Sequence, residues 1–322
     1  MLLPKVHLHV HLESTIRWSR LRELGVPEPP KRLAFNGFRE FADYNTIIRE
    51  ALRHPEDFTR AAEEFCADEA AQGTRYAEVS FTAAAHGQRL GDPEMPLEAV
   101  LEGLATGRAR HGIEVQVLLD HSRRRPVERA RETLRLATKY AGSGVIGIGL
   151  AGDEIHPASP FAEVFDEARD AGLRLVHHAG ETAGPPSIRE VLTTCHAERI
   201  GHGIRALDDP DLVAELRDRA IPLEVCPSSN VALGVAPTLA AHPFPKLRDA
   251  GLAVTLSTDI PNLLGITLSE EYQRIRDTFG YDDGALAELN HTAVDASFAP
   301  HETKAELHHA TDAWLAGSPV CG

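Results

Sequence analysis

The chain has 322 residues, 43% of them hydrophobic and 25% charged, with 48 acidic side chains against 33 basic ones and a formal net charge of −15. That is the composition of a folded globular chain with a sizeable core, and a field of that sign repels a phosphate backbone, which argues against a nucleic-acid partner. The four cysteines, Cys66, Cys195, Cys226 and Cys321, form no C-x-x-C pair, and no membrane-length apolar run or secretory leader is visible, so the expected compartment is the cytoplasm, with no membrane partner.

The first predicted strand is VHLHV (6–10), within the stretch PKVHLHVHLE (4–13). Side chains two apart share a strand face, so His7, His9 and His11 point together where Val, Ile and Leu are usual. A helical stretch follows, with FREFADYNTIIREAL and PEDFTRAAEEFCADEAAQG inside an insertion at about 14–73. Such an insertion sits at the carboxyl mouth of a barrel, where it forms a lid or simply adds outer helices. Within it Phe38, Phe41 and Tyr44 fall at three-residue spacing, suited either to covering a planar ligand or to packing the helix down.

Seven more runs read as strands: RYAEVSF (75–81), EVQVLLD (114–120), VIGIGL (145–150), LRLVHH (173–178), RIGHG (199–203), PLEVCP (222–227) and AVTLSTD (253–259). The basic run HSRRRPVERAR (121–131) reads as the start of a solvated helix. Amphipathic segments such as PFAEVFDEARDAG (160–172) and DPDLVAELRDRAI (209–221) separate the strands, and HETKAELHHATDAWLAG closes the chain. Eight strand–helix repeats predict an α/β fold, the (β/α)₈ TIM barrel, as a single domain over 1–322 with its insertion between strands 1 and 2. The absence of G-x-G-x-x-G after the first strand weighs against a doubly wound sheet.

In such a barrel the chemistry sits at the carboxyl ends of the strands. His9 and His11 are expected to close the first strand, His178 the fifth, His202 the sixth and Asp259 the eighth. Nitrogen and oxygen donors of this kind suit Zn²⁺ or a similar divalent ion. His7 lies two residues deeper and reads as a buried, hydrogen-bonded group. Glu181, three residues past His178 in HHAGE, can stand beside the ion and shuttle protons; otherwise it is a first-turn acid of the next helix. The fourth strand ends GIGLAGDE, without a lysine to bridge two ions, so one metal is expected. A metal-holding barrel that only binds ligands is the alternative outside enzymes, and it would have no use for Glu181 with His202.

The segments PKVHLHVHLE, LAGDE, HAGE, RIGHG, EVCPSSN and STD stand in the order and approximate spacing of the adenosine deaminase family, which the chain resembles from residue 4 to about 310. It does not resemble the cytidine-type zinc deaminases, whose second motif, P-C-x-x-C, is absent. The resemblance implies that His9, His11, His178 and Asp259 bind one Zn²⁺, whose hydroxide attacks C6 of a 6-aminopurine nucleoside and releases ammonia. It also implies that Glu181 protonates N1, that His202 orients the water or accepts its proton, and that Gly152 offers its backbone N–H to N3.

Two positions depart from the family. Ile260 stands where the family has an aspartate that bonds N7, and an unpaired N7 in a dry pocket costs roughly 1–3 kcal/mol. Glu13 and Ser14 stand where the family has Asp-Gly, the aspartate reaching the 5′-hydroxyl. The expected partner is therefore a small-molecule purine nucleoside or analogue: adenosine, a 5′-modified adenosine such as aminodeoxyfutalosine, or another aminated heterocycle. Phe38 and Phe41 are candidate contacts to the base, and Cys226 reads as a small buried hydrophobe. A barrel metallohydrolase acting on another C–N or ester bond is the nearest enzyme alternative. The oligomeric state leaves no trace in the sequence.

Overall fold

The computed structural model describes residues 2–27, 35 and 38–317. Short runs of Val, Ile and Leu, buried almost throughout, form eight strands: β1 (Lys5–His7), β2 (Thr74–Phe81), β3 (Glu114–Ser122), β4 (Val145–Ala151), β5 (Arg174–Ala179), β6 (Arg199–His202), β7 (Leu223–Val225) and β8 (Val254–Leu256). They lie in sequence order, each parallel to the next. The ring closes past the ends of β8 and β1, where Val10 bridges Asp259, the Asp259 N–H donates to the His9 carbonyl and the His11 N–H to the Asp259 carbonyl, both at 3.0 Å. This is the predicted (β/α)₈ barrel, its helices covering strands too apolar to meet water.

β1 stops at His7 and β8 at Leu256, so His9, His11 and Asp259 lie just beyond the strands rather than closing them. The ladder gives way there to single contacts, among them the His9 N–H on Ser257 Oγ at 3.2 Å. His7 is fully buried, with Nδ1 3.2 Å from Glu69 and Nε2 3.1 Å from the Thr258 hydroxyl.

Between β1 and β2 the described residues form a 3₁₀ turn (Leu12–Thr15) and helices α1 (Trp18–Glu23), α2 (Phe38–Ala51) and α3 (Pro55–Ala71). α3 begins on a proline, where the missing N–H is harmless, and Asp57 accepts the N–H groups of Arg53 and His54 at 3.0 Å. It buries Phe58, Ala61, Ala62 and Phe65 at helical spacing and is an outer helix of the barrel. α2 instead turns Phe41, Asn45 and Arg49, one helical turn apart, toward the carboxyl mouth.

At the opposite end the helix Asp283–Ala296 plugs the barrel: the Asn290 side chain accepts the Val6 N–H at 3.0 Å and donates to the Pro4 carbonyl at 2.9 Å. The basic run at 121–131 is not the solvated helix expected. Its helix starts only at Val127, while Arg123 is buried and donates to the carbonyls of His156 (3.1 Å) and His178 (2.7 Å). Carbonyls of the loop after β4 and of the end of β5 supply the partners that make this burial tolerable. Among the described residues Cys66, Cys195 and Cys226 are buried free thiols, and no helix is long and apolar enough to cross a membrane.

Candidate active site

The histidines that follow β1 are each held from behind. His9 Nδ1 is 2.9 Å from Glu224 of β7, which leaves Nε2 facing the mouth, buried and without a hydrogen-bond partner. His11 Nδ1 is 3.1 Å from Asp120 at the end of β3, and its Nε2 lies 3.3 Å from both His178 Nε2 and Asp259 Oδ1. Donor atoms of His9, His178, His202 and Asp259 all fall within 4.8 Å of one another. Three of the predicted ligands, His9, His178 and Asp259, thus gather with His202, while His11, the fourth, adjoins that group through His178 and Asp259. Lone pairs so crowded and so poorly paired call for a cation among them, and the donor set fits a tetrahedral or five-coordinate divalent ion such as Zn²⁺.

The backbone is bent to make this happen. His202 and Asp259 adopt φ of +67° and +63°, a left-handed conformation that non-glycine residues hold only when surrounding bonds enforce it. For Asp259 those bonds are the closing bridge and the Ser229 hydroxyl, 2.6 Å from Oδ2. Gly201 is needed for a different reason: a Cβ there would lie 2.7 Å from His9 Cε1, inside the ring's contact distance.

Glu181 sits past β5 on a loop gripped by a single carboxylate. Glu154 accepts the N–H groups of Gly180 (2.7 Å), Glu181 (2.8 Å) and Thr182 (2.9 Å) and the Ser187 hydroxyl (2.5 Å). The Glu181 carboxyl in turn takes the Asn230 amide at 2.9 Å and lies 3.6 Å from His202 Nδ1. Burial, reinforced by the charges of Asp259 and Glu154, pushes the Glu181 carboxyl up to about 8, so it carries its proton at neutral pH. Burial, with His9 beside it, lowers His202 to about 3 and keeps that imidazole neutral. A carboxyl raised by burial and an imidazole lowered by it therefore stand side by side next to the donor cluster.

A recess of about 140 Å³ opens above these groups, lined by Phe41, Thr82, Gly152 and Asp120 together with His11, His178, His202 and Asp259. Gly152, at φ +94°, presents backbone rather than side chain to it. Glu13 does not line the recess: it is buried, and its carboxylate accepts the Thr82 N–H (3.2 Å), the Thr82 hydroxyl and His86 Nε2 (3.1 Å). Arg89 donates to His86 Nδ1, so His86 Nε2 carries the proton that Glu13 accepts. Against the opposing effect of burial, the His86 hydrogen bond holds Glu13 down at about 2. Ile260 is fully buried in the apolar core and also lies off the recess. The Phe38 side chain lies outside the described residues.

The family described as adenosine deaminase matches residues 4–314. The chain belongs to the adenosine deaminase family. With that family it is a hydrolase acting on C–N bonds. It is 35% identical to an adenine deaminase of Rhizobium leguminosarum bv. trifolii, across 95% of this chain and 98% of the relative. To an aminodeoxyfutalosine deaminase of Streptomyces coelicolor it is 37% identical, across 98% and 86%. Among solved structures it superposes on adenine deaminase from Arthrobacter aurescens with a TM-score of 0.91, 29% identity and coverage of 97% and 99%. An amidohydrolase from Burkholderia ambifaria with bound Zn matches at 0.88, 25% identity, 98% and 91%. An Arabidopsis ADAL complexed with IMP matches at 0.87, 28% identity, 98% and 98%.

Several residues of this deaminase-family site escaped the sequence reading. Asp120 obeys the strand-end rule that exposed the histidines, and Glu154 and Asn230 lie inside LAGDE and EVCPSSN, so a local signal existed for each. The buried chain behind His9 had none: Glu224 accepts Arg199 Nε at 2.6 Å, and Arg199 donates to Glu78 at 2.5 Å while lying over the Phe298 ring at 4.0 Å. These partners come from three strands and a C-terminal loop that only the closed barrel brings together.

Proposed function

We propose that the chain is a zinc-dependent aminohydrolase releasing ammonia from a 6-aminopurine nucleoside, adenosine or a 5′-modified adenosine, with one Zn²⁺ per chain held by His9, His11, His178 and Asp259. Names and contents of its relatives support this: adenine and aminodeoxyfutalosine deaminases, a zinc-bound amidohydrolase and an IMP complex. The ion supplies Lewis acidity that makes water nucleophilic near neutral pH. Glu181 holds the proton destined for N1 of the base, which removes the ring's resistance to attack at C6. His202, neutral and 3.3 Å from the Asn230 amide, orients the water or takes up its proton. Glu224 and Asp120 lock the two imidazoles after β1 in the rotation that presents Nε2.

Gly152 offers its N–H to N3, and α2 covers the base through Phe41, with Phe38 assigned beside it from sequence. Glu13 acts by fixing Thr82 at the wall, and Ile260 leaves N7 without a bond. In this reading 1–322 is one catalytic domain with the insertion at about 14–73 as its lid, and the buried, unpaired thiols fit the cytoplasm. The observation that carries the reading is the Glu154 grip on the loop of Glu181, which holds that carboxyl against the donor cluster; a barrel that only bound ligands has no use for it. The test is zinc content and ammonia release on adenine, adenosine, 5′-modified adenosines and other aminated heterocycles. One zinc per chain and release from a 6-aminopurine are expected, lost on chelation and restored by Zn²⁺. A zinc-loaded protein that frees no ammonia from any 6-aminopurine overturns it.

A further inference from the structure

Beside the recess over the donor cluster lies a second one of about 330 Å³, sharing with it the wall of Thr46, Arg49, Thr82 and Arg124. The first is base-sized, and the pair together reach the volume that holds a larger ligand, roughly 300–1,000 Å³. Arg49 comes from α2, and Arg124 and Arg125 from the turn after β3. In a chain of net charge −15, surface arginines ordinarily have carboxylates, as Arg17 has Asp68 and Arg131 has Glu167. Among the described residues Arg49 and Arg124 have no ion pair and no side-chain hydrogen bond, and Arg125 has only the Gln88 amide. Burial and the repulsion of Arg49 and Arg129 hold Arg125 below its usual value.

The carboxylates near these arginines are committed elsewhere. Asp120 faces His11, Asp259 faces Ser229 and the imidazoles, Glu181 faces Asn230, and Glu13 is bound to Thr82 and His86. The exposed Glu50 lies beside Arg89 at the far edge. The cavity is therefore bipolar, with acid and metal-type groups at its floor and, at its mouth, guanidinium groups that have no ion pair among the described residues, Arg49 acting on Glu13 only through its charge. A purine whose C6 reaches the floor must extend its sugar toward the mouth.

We propose that Arg49, Arg124 and Arg125 form an anion subsite that receives a phosphate or carboxylate carried at the 5′ end of the purine nucleoside; the assignment rests on the deaminase reading for the base. Guanidinium forks match both anions, and the ligand's charge relieves the repulsion among the arginines. The Ser122 hydroxyl in the same wall adds a neutral donor.

The test measures binding of three products to the zinc-loaded protein by calorimetry: inosine, inosine 5′-monophosphate and inosine 5′-carboxylate. At least one anionic compound is expected to bind tighter than inosine by tenfold or more, on the order of one charge-assisted contact, with the advantage shrinking as salt rises. Which of the two gains more identifies phosphate or carboxylate as the natural group. Arg49→Ala and Arg124→Ala should each cut the anionic-to-neutral ratio by about tenfold, while Arg110→Ala, an exposed arginine paired with Glu63, leaves the ratio in place. Inosine binding as tightly as both anions, or a ratio that survives both substitutions, overturns the subsite. Failure of the deaminase reading looks different: no ammonia from any 6-aminopurine, whereas an absent subsite leaves adenosine turnover without an anionic advantage.

Discussion

The floor and the mouth of this cavity are built on opposite plans. At the floor each polar group answers to another element: His9 to Glu224, His11 to Asp120, the Glu181 loop to Glu154, and Asp259 to Ser229. At the mouth, Arg49 and Arg124 have no ion pair and no side-chain hydrogen bond among the described residues, and Arg49 acts on Glu13 only through its charge. Bond-making chemistry tolerates little error in position, so its groups are held redundantly. Recognition works the other way, because a charge already satisfied within the protein has little left to offer a ligand. Under the proposed function, the contrast puts chemistry at the floor of the cavity, at the carboxyl ends of the strands, and selectivity in the inserted helix α2 and the turn after β3.

The sharpest way to break that division is Glu181→Gln. It should lower kcat by roughly 10²–10⁴ for neutral and anionic substrates alike, with zinc content unchanged, as read by ammonia release. A loss confined to one substrate class would place Glu181 in recognition instead. Next is Arg199→Met, which strands Glu78 and Glu224 as buried carboxylates without their cation. Urea denaturation should register a loss of about 3–5 kcal/mol, and zinc affinity should weaken because Glu224 no longer holds His9 as firmly. An unchanged midpoint would show that the floor does not depend on this chain.

The smallest effect expected is for Glu154→Gln, a drop in kcat of about tenfold with a displaced pH profile. The Glu154 charge is one of those that raise Glu181, so its removal lets Glu181 lose its proton at lower pH. The alkaline limb of kcat, where the acid form disappears, should move toward neutrality. A limb that stays in place while kcat falls would mean that Glu154 only props the loop.

Much of this was legible in the chain. Eight apolar runs separated by helical text have few other solutions, and the strand-end rule pointed to His9, His11, His178 and Asp259, although His9, His11 and Asp259 lie just past the strands themselves. Where the strands stop was less legible, because β1 and β8 end at contacts between residues at opposite ends of the sequence. The run at 121–131 misled because three consecutive arginines look solvated on any local reading; the end of β3 turns Arg123 inward onto backbone carbonyls and leaves Arg124 and Arg125 at the cavity. Glu13 and Ile260 were visible as departures from the family, but not the direction their side chains would take.

The sequence by itself determined the barrel, the kinds of donor it carries and the carboxyl that accompanies them, since periodicity and residue chemistry are local properties. Only the tertiary structure decided that Glu154 clamps the loop of Glu181, that Arg199 links two buried carboxylates behind His9, and that unpaired arginines gather at the mouth. Charges find or lack partners in space, and ring closure sets those distances between segments that the linear order keeps far apart.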